Sequence, residues 1–514
     1  MISNLVKLIL LLGILLLGVL PITYLLFSNE ALDSEAIQEL AWSSGTFEIS
    51  WGTAELALLI ACTASLLGWG INALLRFSKS PYLWVALYVL GFTVSPYIAA
   101  QGWIQILGTN GYLWDYLNLQ PRPDLLYGPY GLTFLLCLQF TPLSLIIFFA
   151  TAQPVAKESR ELQSLTRLSF WKRLYLFELR TSRAAFLFSA ILIFWFAFWN
   201  YETPSILRQN TYSLSLYAAF GSFYDYSQAL GYLLHASAYA LPTLLFIIWL
   251  TPSIAANNRS LSSTSDIPPL KWYWKYLSIF SLSIIPLCGL VLPVLGLIID
   301  LGSFSVFSKA VDDYSGDIQN SLIVAASASV LTTVICIVLV GLAGKLKGTT
   351  PLSLVSVVLL LIPPLCTGIG AVHWFAEHSE GEAGLERIVL VNILILLPIL
   401  LLPTALAFPI APRTVKDTRS LFRLKTVKEW ALFFKPVFLP RLLLIFGFGF
   451  LMTLKEVPAS LLNYPPDGST LALTIETMLH FDQPQLISSL CLIQLLLSIG
   501  MFSLISILIH FCKR

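Results

Sequence analysis

Charged residues are scarce in this sequence. They make up 11% of its 514 residues, whereas a soluble protein of ordinary composition has roughly 25%. Hydrophobic residues make up 57%, and the mean hydropathy is +0.80. This shortage of charge indicates that lipid rather than water surrounds much of the chain. The net charge of +2 gives no sign of nucleic-acid binding.

Several motifs of soluble enzymes are also missing. The seven cysteines include no C-x-x-C pair, so neither a disulfide framework nor a zinc site is indicated. No G-x-x-x-x-G-K-[ST] occurs, and Gly-Lys-Leu at 344–346 lacks its spacing, so the chain itself is not expected to be an ATPase. His373, Glu377 and His378 do not have the spacing of an inverted zincin. We expect a solvated loop there, with transient contact to a metal as an alternative, and we predict no catalytic residue and no cofactor.

Long apolar runs dominate the rest of the sequence. A bilayer takes about 20 apolar residues to cross. Runs that qualify lie at about 5–27, 52–75, 82–107, 129–152, 184–206, 228–252, 276–299, 319–343, 351–375, 387–410, 441–463 and 486–511. The first run follows Lys7 and is long for a signal peptide, so we interpret it as a transmembrane helix. The prediction is an all-α polytopic membrane protein with about 12 transmembrane helices.

The positions of the basic residues test this topology. With the N-terminus in the cytoplasm and alternating spans, 25 of the 30 Lys and Arg residues fall on the cytoplasmic side. Such asymmetry is what the positive-inside rule requires. An odd number of helices would destroy it, so the helix count and the orientation support each other. Both termini are therefore expected in the cytoplasm.

The two halves of the chain resemble each other. Each has six apolar runs and a long basic loop, followed by a helix whose outer end reads Glu-x-Pro, at 202–204 in the first half and 456–458 in the second. This pattern predicts two parallel six-helix repeats related by a pseudo-two-fold axis along the membrane normal. The predicted division is 1–252 for the first half, 253–275 for a cytoplasmic linker and 276–514 for the second half.

Both basic loops, at about 153–183 and 411–440, contain an amphipathic helical pattern. Leu168 and Trp171 belong to the apolar face of the first pattern, and Val427 belongs to that of the second. One interpretation is a helix that lies on anionic lipid headgroups, which needs only an apolar face and a basic face. The duplication at matching places favours a shared mechanical role.

The first loop resembles the coupling loop of ABC importer permeases. In that family Glu-Ala-Ala, a glycine and a later Leu-Pro mark a helix that docks into the ATPase subunit. Glu161 matches the family glutamate, Arg167 stands in place of the glycine, and Leu179 falls at the leucine of the Leu-Pro pair.

The second loop departs from the family pattern at other positions. It keeps Leu439-Pro440, has Val427 at the glycine position, and has its acidic residue, Asp417, displaced. The residues that the resemblance assigns to contact with an ATPase are Glu161, Arg167, Trp171, Leu179, Asp417, Val427, Leu439 and Pro440.

The resemblance extends over about 50–511. The stretches 455–462 and 465–472 are very similar to the end of fused two-domain permeases of the iron(III)/thiamine-type ABC importer family, and Asn320-Ser321-Leu322 and Pro96-Tyr97 fit the same family. It implies a type I permease fold and a transport subunit rather than an enzyme. It also implies that the chain lies in the lipid of a bacterial inner membrane and has two protein partners: a cytoplasmic ABC ATPase dimer, and a periplasmic or lipoprotein substrate-binding protein.

The repeated Glu-x-Pro sequences are candidates for an outer gate. A carboxylate near the membrane is costly unless it is paired or hydrated. Glu202 and Glu456 occupy equivalent places, and Lys455 is a candidate partner of Glu202 across the pseudo-dyad. The alternative is that each carboxylate lies in wet interface with no specific role. The candidate gate residues are Glu202, Pro204, Lys455, Glu456 and Pro458.

The substrate and the energy source have alternatives at this stage. Iron(III) is the first choice because the fused architecture and the acidic outer segments fit it, and similar permeases serve thiamine or an organophosphonate. A secondary transporter driven by an ion gradient would also show twelve spans, but it predicts buried acidic residues within spans, which are nearly absent here. A multi-pass membrane enzyme would need clustered polar residues at one membrane face, and none is evident in the sequence.

Overall fold

The computed structural model describes residues 34–75, 78, 80–151, 180–223, 225–257, 272–345, 349–378, 384–407, 427–465, 468–479, 481 and 483–513. Every regular element among these residues is helical. The described residues form two compact units that meet in sequence at the Asp300–Leu301 bond. We call residues 34–300 the N-terminal unit and residues 301–513 the C-terminal unit.

The N-terminal unit holds twelve of the described α-helices, together with a 3-10 turn at Pro123–Leu125 and two π-helical turns at Ala218–Ser222 and Leu287–Val291. The α-helices are α1 (Ser34–Ala41), α2 (Ser44–Leu75), α3 (Pro81–Thr93), α4 (Pro96–Leu107), α5 (Tyr112–Leu117), α6 (Pro129–Thr151), α7 (Arg180–Phe198), α8 (Glu202–Ile206), α9 (Tyr212–Tyr217), α10 (Tyr226–Asn257), α11 (Trp272–Pro286) and α12 (Leu292–Leu301).

The C-terminal unit holds the other nine. They are α13 (Phe304–Asp313), α14 (Ser315–Lys345), α15 (Thr349–Leu360), α16 (Pro364–His378), α17 (Leu385–Ala407), α18 (Val427–Leu454), α19 (Pro458–Asn463), α20 (Leu471–Leu479) and α21 (Pro484–Lys513).

Seven of the described helical segments are long and apolar enough to cross a membrane, or eight if Pro81–Thr93 and Pro96–Leu117 are counted as one span bent by 86°. The seven lie at Ile37–Leu75, Pro129–Phe149, Tyr226–Phe246, Tyr276–Leu301, Ser315–Ala343, Leu385–Ala405 and Pro484–Cys512. The prediction of a helical, multi-pass membrane protein is thereby confirmed. The count of twelve stays a prediction, and the run at 5–27 lies outside the described residues.

Four predicted spans are interrupted, and proline is near three of the interruptions. The run 82–107 breaks at 94–95, before Pro96. The run 351–375 forms α15 and α16, which are separated at 361–363, before the proline that opens α16. The run 441–463 likewise breaks at 455–457, before Pro458. The run 184–206 ends as a long helix at Phe198, and Glu202 then opens a new short helix. Because proline disfavours the helical conformation of the residue before it, a helix usually ends there.

Helices α11 and α12 pack within the N-terminal unit, although they belong to the predicted second half. The phenol of Tyr88 on α3 donates a 3.0 Å hydrogen bond to the carbonyl of Leu282 on α11. The indole of Trp103 on α4 donates a 3.1 Å bond to the carbonyl of Cys288. At the α4–α12 crossing, a Cβ on Gly102 would overlap the backbone of Pro293, so this contact requires glycine. The packing boundary therefore lies near 300, whereas the predicted division of the repeats at 253–275 stays a prediction.

The helices of one unit contact one another in pairs that correspond to the contacting pairs of the other unit. In the N-terminal unit the pairs include α2–α6, α2–α7, α6–α7, α3–α6, α4–α8, α6–α8, α2–α9, α7–α10 and α1–α10. In the C-terminal unit the counterparts, in the same order along the chain, are α14–α17, α14–α18, α17–α18, α15–α17, α16–α19, α17–α19, α14–α20, α18–α21 and α13–α21.

Candidate functional site

Glu456 caps the short helix α19. Its Oε1 accepts a 2.8 Å hydrogen bond from the backbone N–H of Ala459, and its Oε2 accepts bonds from both the N–H (3.1 Å) and the hydroxyl of Ser460. The first N–H groups of a helix have no partner within the helix, so a carboxylate placed there satisfies them. Desolvation raises the pKa of Glu456, and the hydrogen bonds from Ser460 and Ala459 oppose that shift.

The equivalent turn in the N-terminal unit is capped differently. The N–H of Thr203 donates to the side-chain oxygen of Asn200 at 3.1 Å, and the hydroxyl of Ser213 donates to the Asn200 carbonyl at 2.6 Å. Glu202 and Pro204 are buried in this turn. The same Glu-x-Pro sequence is therefore supported by an asparagine in one unit and by its own glutamate in the other.

A hydroxyl near the start of a long helix binds the chain after each turn. In the N-terminal unit the N–H of Tyr212 donates a 3.0 Å bond to the hydroxyl oxygen of Thr53 on α2. In the C-terminal unit the N–H of Leu471 donates a 2.7 Å bond to that of Ser321 on α14. The acceptor in each case lies in the first third of the first long helix of its unit, and the donor is the first residue of the short helix α9 or α20.

A small polar cavity of about 10 Å³ lies beside Glu456 within the C-terminal unit, with room for about one water molecule. Its polar lining residues are Ser321, Asn392, Thr453, Glu456, Ser460 and Thr470. Asn392 on α17 is 1% exposed, and its Oδ1 has no hydrogen-bond partner among the described residues. Most buried acceptors bind a protein donor or an ordered water, so this oxygen is available to a species in the cavity.

An acidic residue of the C-terminal unit outside this cavity is buried. Glu476 on α20 is 3% exposed, and neither of its carboxylate oxygens has a hydrogen-bond partner in the described part of the chain. Burial raises the pKa of Glu476 to about 7. The sequence pattern gave no reason to select this residue, because it lies in a short stretch between two apolar runs.

His235, to which the sequence assigned no role, links three helices of the N-terminal unit. Its two ring nitrogens lie 2.8 Å from the hydroxyl of Ser50 on α2 and 2.8 Å from the carbonyl oxygen of Ala41 on α1. The ring is 2% exposed. This arrangement is that of a satisfied core histidine on α10, and it needs no ligand.

The predicted ATPase-coupling residues fall mostly outside the described residues. Glu161, Arg167, Trp171, Leu179 and Asp417 lie there. Val427 is the first residue of α18, and Leu439 and Pro440 lie inside that same helix, so the last part of the predicted second loop is continuous with the apolar helix that follows.

The expected loop around His373 is wrong, because the segment is helical. His373, Glu377 and His378 are in the last turns of α16. Residues 369–376 are mostly apolar, and the helix that starts at Pro364 continues through them to His378. Among the described residues, no group of three or more His, Cys, Asp or Glu side chains is placed to hold a metal ion.

Two residues of the polar cavity were missed by the sequence analysis. Asn392 interrupts the apolar run of α17, and Thr453 lies one residue before the end of α18. A polar residue inside a membrane span is costly, so Asn392 offered a usable signal. Thr453 offered none, since threonine bonds easily to its own helix, as it does here to Gly449 at 3.1 Å.

Comparison of the chain with protein-family models, with curated proteins and with solved structures found no match. The family resemblance of the sequence stays a prediction.

Proposed function

We propose that this protein is the transmembrane permease subunit of an ATP-driven, binding-protein-dependent importer. The observation that carries the proposal is the pair of Glu-x-Pro turns. Each turn follows an apolar helix and lies at the start of a short helix. After each turn, a backbone N–H donates a hydrogen bond to a hydroxyl on a long helix, which is Thr53 in one unit and Ser321 in the other. An importer permease needs two equivalent halves around a central path, and this chain would supply both.

The proposed architecture is two parallel repeats of six transmembrane helices. It is supported by the matched helix pairs of the two units, in which α2, α6 and α7 contact one another as α14, α17 and α18 do. Alternating access would then rock one half against the other.

The energy would come from a partner. The sequence has no phosphate-binding loop, so a cytoplasmic ATPase dimer would bind at the loops near 153–183 and 411–440. A substrate-binding protein would dock on the outer face, and the chain would lie in a bacterial inner membrane with both termini in the cytoplasm. Binding can drive the conformational change only if the partners bind the inward and outward states with different affinity.

Iron(III) is the proposed substrate, with thiamine or an organophosphonate as alternatives of the same transporter class. Its support is the acidic character of the segments assigned to the outer side. In the sequence, the segment between the first two apolar runs has Glu30, Asp33, Glu35, Glu39 and Glu48 without a single Lys or Arg, and the last two of these lie in the first part of the helical segment Ile37–Leu75. An acidic surface attracts cations over a distance of about 10 Å at ordinary ionic strength.

A secondary transporter driven by an ion gradient is the second candidate, and one structural observation favours it. The sequence has almost no acidic residues in the middle of its apolar runs, but Glu202, Asp300 and Glu476 are buried in the structure. Buried carboxylates are the usual sites of coupling ions. Of the three only Asp300 lies within a candidate span, at the very end of Tyr276–Leu301, and the importer is therefore kept as the preferred proposal.

The two candidates differ in what powers uptake. The importer proposal expects the chain to co-purify with an ATPase whose activity rises when the ligand-loaded binding protein is added. In proteoliposomes, uptake should require ATP on the side of the membrane where the ATPase is bound. It should persist when ion gradients are collapsed. Uptake that follows an ion gradient without ATP would overturn the importer proposal.

The substrate needs a separate measurement. The binding protein encoded or purified with this chain should be analysed for its bound ligand. Iron(III) binding would support the first choice, whereas a bound thiamine or phosphonate would replace it without changing the transporter class.

A further inference from the structure

The polar cavity beside Glu456 has an unusual balance of donors and acceptors. Asn392 uses both of its amide hydrogens, one toward the Ile388 carbonyl at 2.9 Å and one toward the Ser460 hydroxyl at 3.2 Å. Ser460 in turn donates its hydroxyl hydrogen to Glu456. No described residue donates a hydrogen bond to the amide oxygen of Asn392.

Two hydroxyl groups that line the cavity already donate their hydrogen to a backbone carbonyl. Ser321 donates to the Asp317 carbonyl at 2.7 Å, and Thr453 donates to the Gly449 carbonyl at 3.1 Å. Serine and threonine have one hydrogen each but two lone pairs, so Thr453 keeps both lone pairs as acceptors, and Ser321, which already accepts the N–H of Leu471, keeps one. The cavity is therefore lined mainly by oxygens that can accept but not donate.

The charge of the lining points in the same direction. The groups that bond to Glu456 are neutral donors of Ala459 and Ser460, and within the described residues no ion pair neutralises its carboxylate. A partly buried carboxylate without a countercharge is costly. A water molecule in the cavity would satisfy Asn392 Oδ1 but would leave this charge uncompensated.

We propose that this cavity binds one small monovalent cation, with Na⁺ as the match in size, held by Glu456, Asn392 and the neighbouring hydroxyl oxygens. Hard cations prefer oxygen ligands, and divalent sites made entirely by protein need several carboxylates, whereas this cavity has one. The volume of about 10 Å³ accommodates a single species of the size of water. The bound ion would join α17, α18 and α19 at the Glu-x-Pro turn. The inference does not depend on the proposed function, since it rests on the C-terminal unit alone.

The test uses the purified full-length protein in lipid nanodiscs. Retention of ²²Na⁺ and the midpoint of thermal unfolding are measured in NaCl, KCl and choline chloride at equal ionic strength. The unfolding midpoint should rise with NaCl and saturate, as expected for a ligand that binds only the folded state, and it should rise much less with KCl. Glu456→Gln should abolish both the rise and the ²²Na⁺ retention, whereas Glu476→Gln, which removes a buried carboxylate outside the cavity, should keep both.

A matched pair of threonine variants keeps the test decisive if Glu456→Gln does not fold. Thr453 and Thr404 are both buried and both donate to the carbonyl four residues earlier, but only Thr453 lines the cavity. Thr453→Val should weaken Na⁺ binding about tenfold, and Thr404→Val should leave it unchanged. Identical unfolding curves in the three salts, or equal Na⁺ affinity of the two variants, would overturn the proposal and assign the cavity to water.

The outcome is separable from that of the proposed function. ATP-dependent uptake by a protein that retains no ²²Na⁺ would refute the cation site and leave the importer proposal standing. Uptake driven by a Na⁺ gradient without ATP, lost in Glu456→Gln, would support the site and refute the importer.

Discussion

The backbone N–H of Leu471 donates a 2.7 Å hydrogen bond to the hydroxyl of Ser321, which lies 150 residues earlier in the chain. Tyr212 and Thr53 form the same kind of bond, at 3.0 Å, across 159 residues. In each unit a single hydroxyl thus fixes the segment after Glu-x-Pro to the start of a long helix. This pair of bonds is the most specific likeness between the two units.

Ser321→Ala is expected to destabilise the protein by about 1–3 kcal/mol, because it leaves the buried N–H of Leu471 without an acceptor. Thermal unfolding in choline buffer would measure the loss without interference from Na⁺. The control is Ser489→Ala: this buried hydroxyl donates only to the Gln485 carbonyl of its own helix. Equal losses in the two variants would contradict a special role for Ser321.

Gly102→Ala should disrupt the crossing of α4 and α12, since the added Cβ would overlap the backbone of Pro293. We expect a loss of about 1–3 kcal/mol, the usual effect of overpacking. Gly91→Ala in α3 is the matched control, because nothing lies within 4 Å of a Cβ at that position. Alanine there should be neutral or stabilising by roughly 0.5–1 kcal/mol. If both variants unfolded at the wild-type temperature, the close packing of α12 in the N-terminal unit would be wrong.

The stability of the protein should fall as the pH rises from about 4.5 toward 7, owing to Glu476. Burial raises the pKa of this carboxyl from 4.5 to about 7, so the folded state keeps a proton that the unfolded state has already released in this interval. The stabilisation is complete below the unfolded value and is lost as the pH rises through the folded value. A shift of this size corresponds to on the order of 3 kcal/mol.

The variant Glu476→Gln isolates that contribution. It should flatten the dependence of the unfolding midpoint on pH between about 5 and 8, whereas Glu48→Gln, at an exposed position, should leave the wild-type slope unchanged. A slope that is the same in all three proteins would show that Glu476 is not protonated in the fold.

The outer-gate hypothesis is tested by the double variant Glu202→Gln, Glu456→Gln. Glu202 and Lys455 lie in different units, and their pairing stays a hypothesis. If the carboxylates hold the gate closed, the double variant should raise basal ATPase activity of the assembled transporter and lower substrate uptake about tenfold, a typical size for coupling between sites. Unchanged uptake and unchanged basal ATPase activity would exclude the gate.

Part of the fold followed directly from the sequence. The apolar runs at 129–152, 319–343 and 387–410 correspond closely to α6, α14 and α17. Other runs were interrupted in ways that single stretches of hydropathy do not reveal, as at Pro364 and Pro458. Hydropathy reports the average environment of some twenty residues, whereas a proline acts on the residue next to it.

The candidate site was less accessible to sequence reasoning. The Glu-x-Pro turns were recognised because they occur twice, but the roles of their residues differ: Glu456 caps its own helix, and Asn200 does so in the other unit. The cavity residue Thr453 has no distinguishing pattern, since its importance comes from neighbours on α14 and α17.

The sequence by itself determined the class of the protein. A shortage of charge and runs of about twenty apolar residues are local properties, and transfer into lipid depends on little else, so a helical multi-pass membrane protein could be predicted. The tertiary structure decided which distant segments meet. It placed α11 and α12 with the N-terminal unit through glycine contacts and hydrogen bonds to Tyr88 and Trp103, and it brought Asn392 to Glu456. These contacts depend on shape and on hydrogen-bond partners far apart in the chain, which the hydropathy of a single run does not encode.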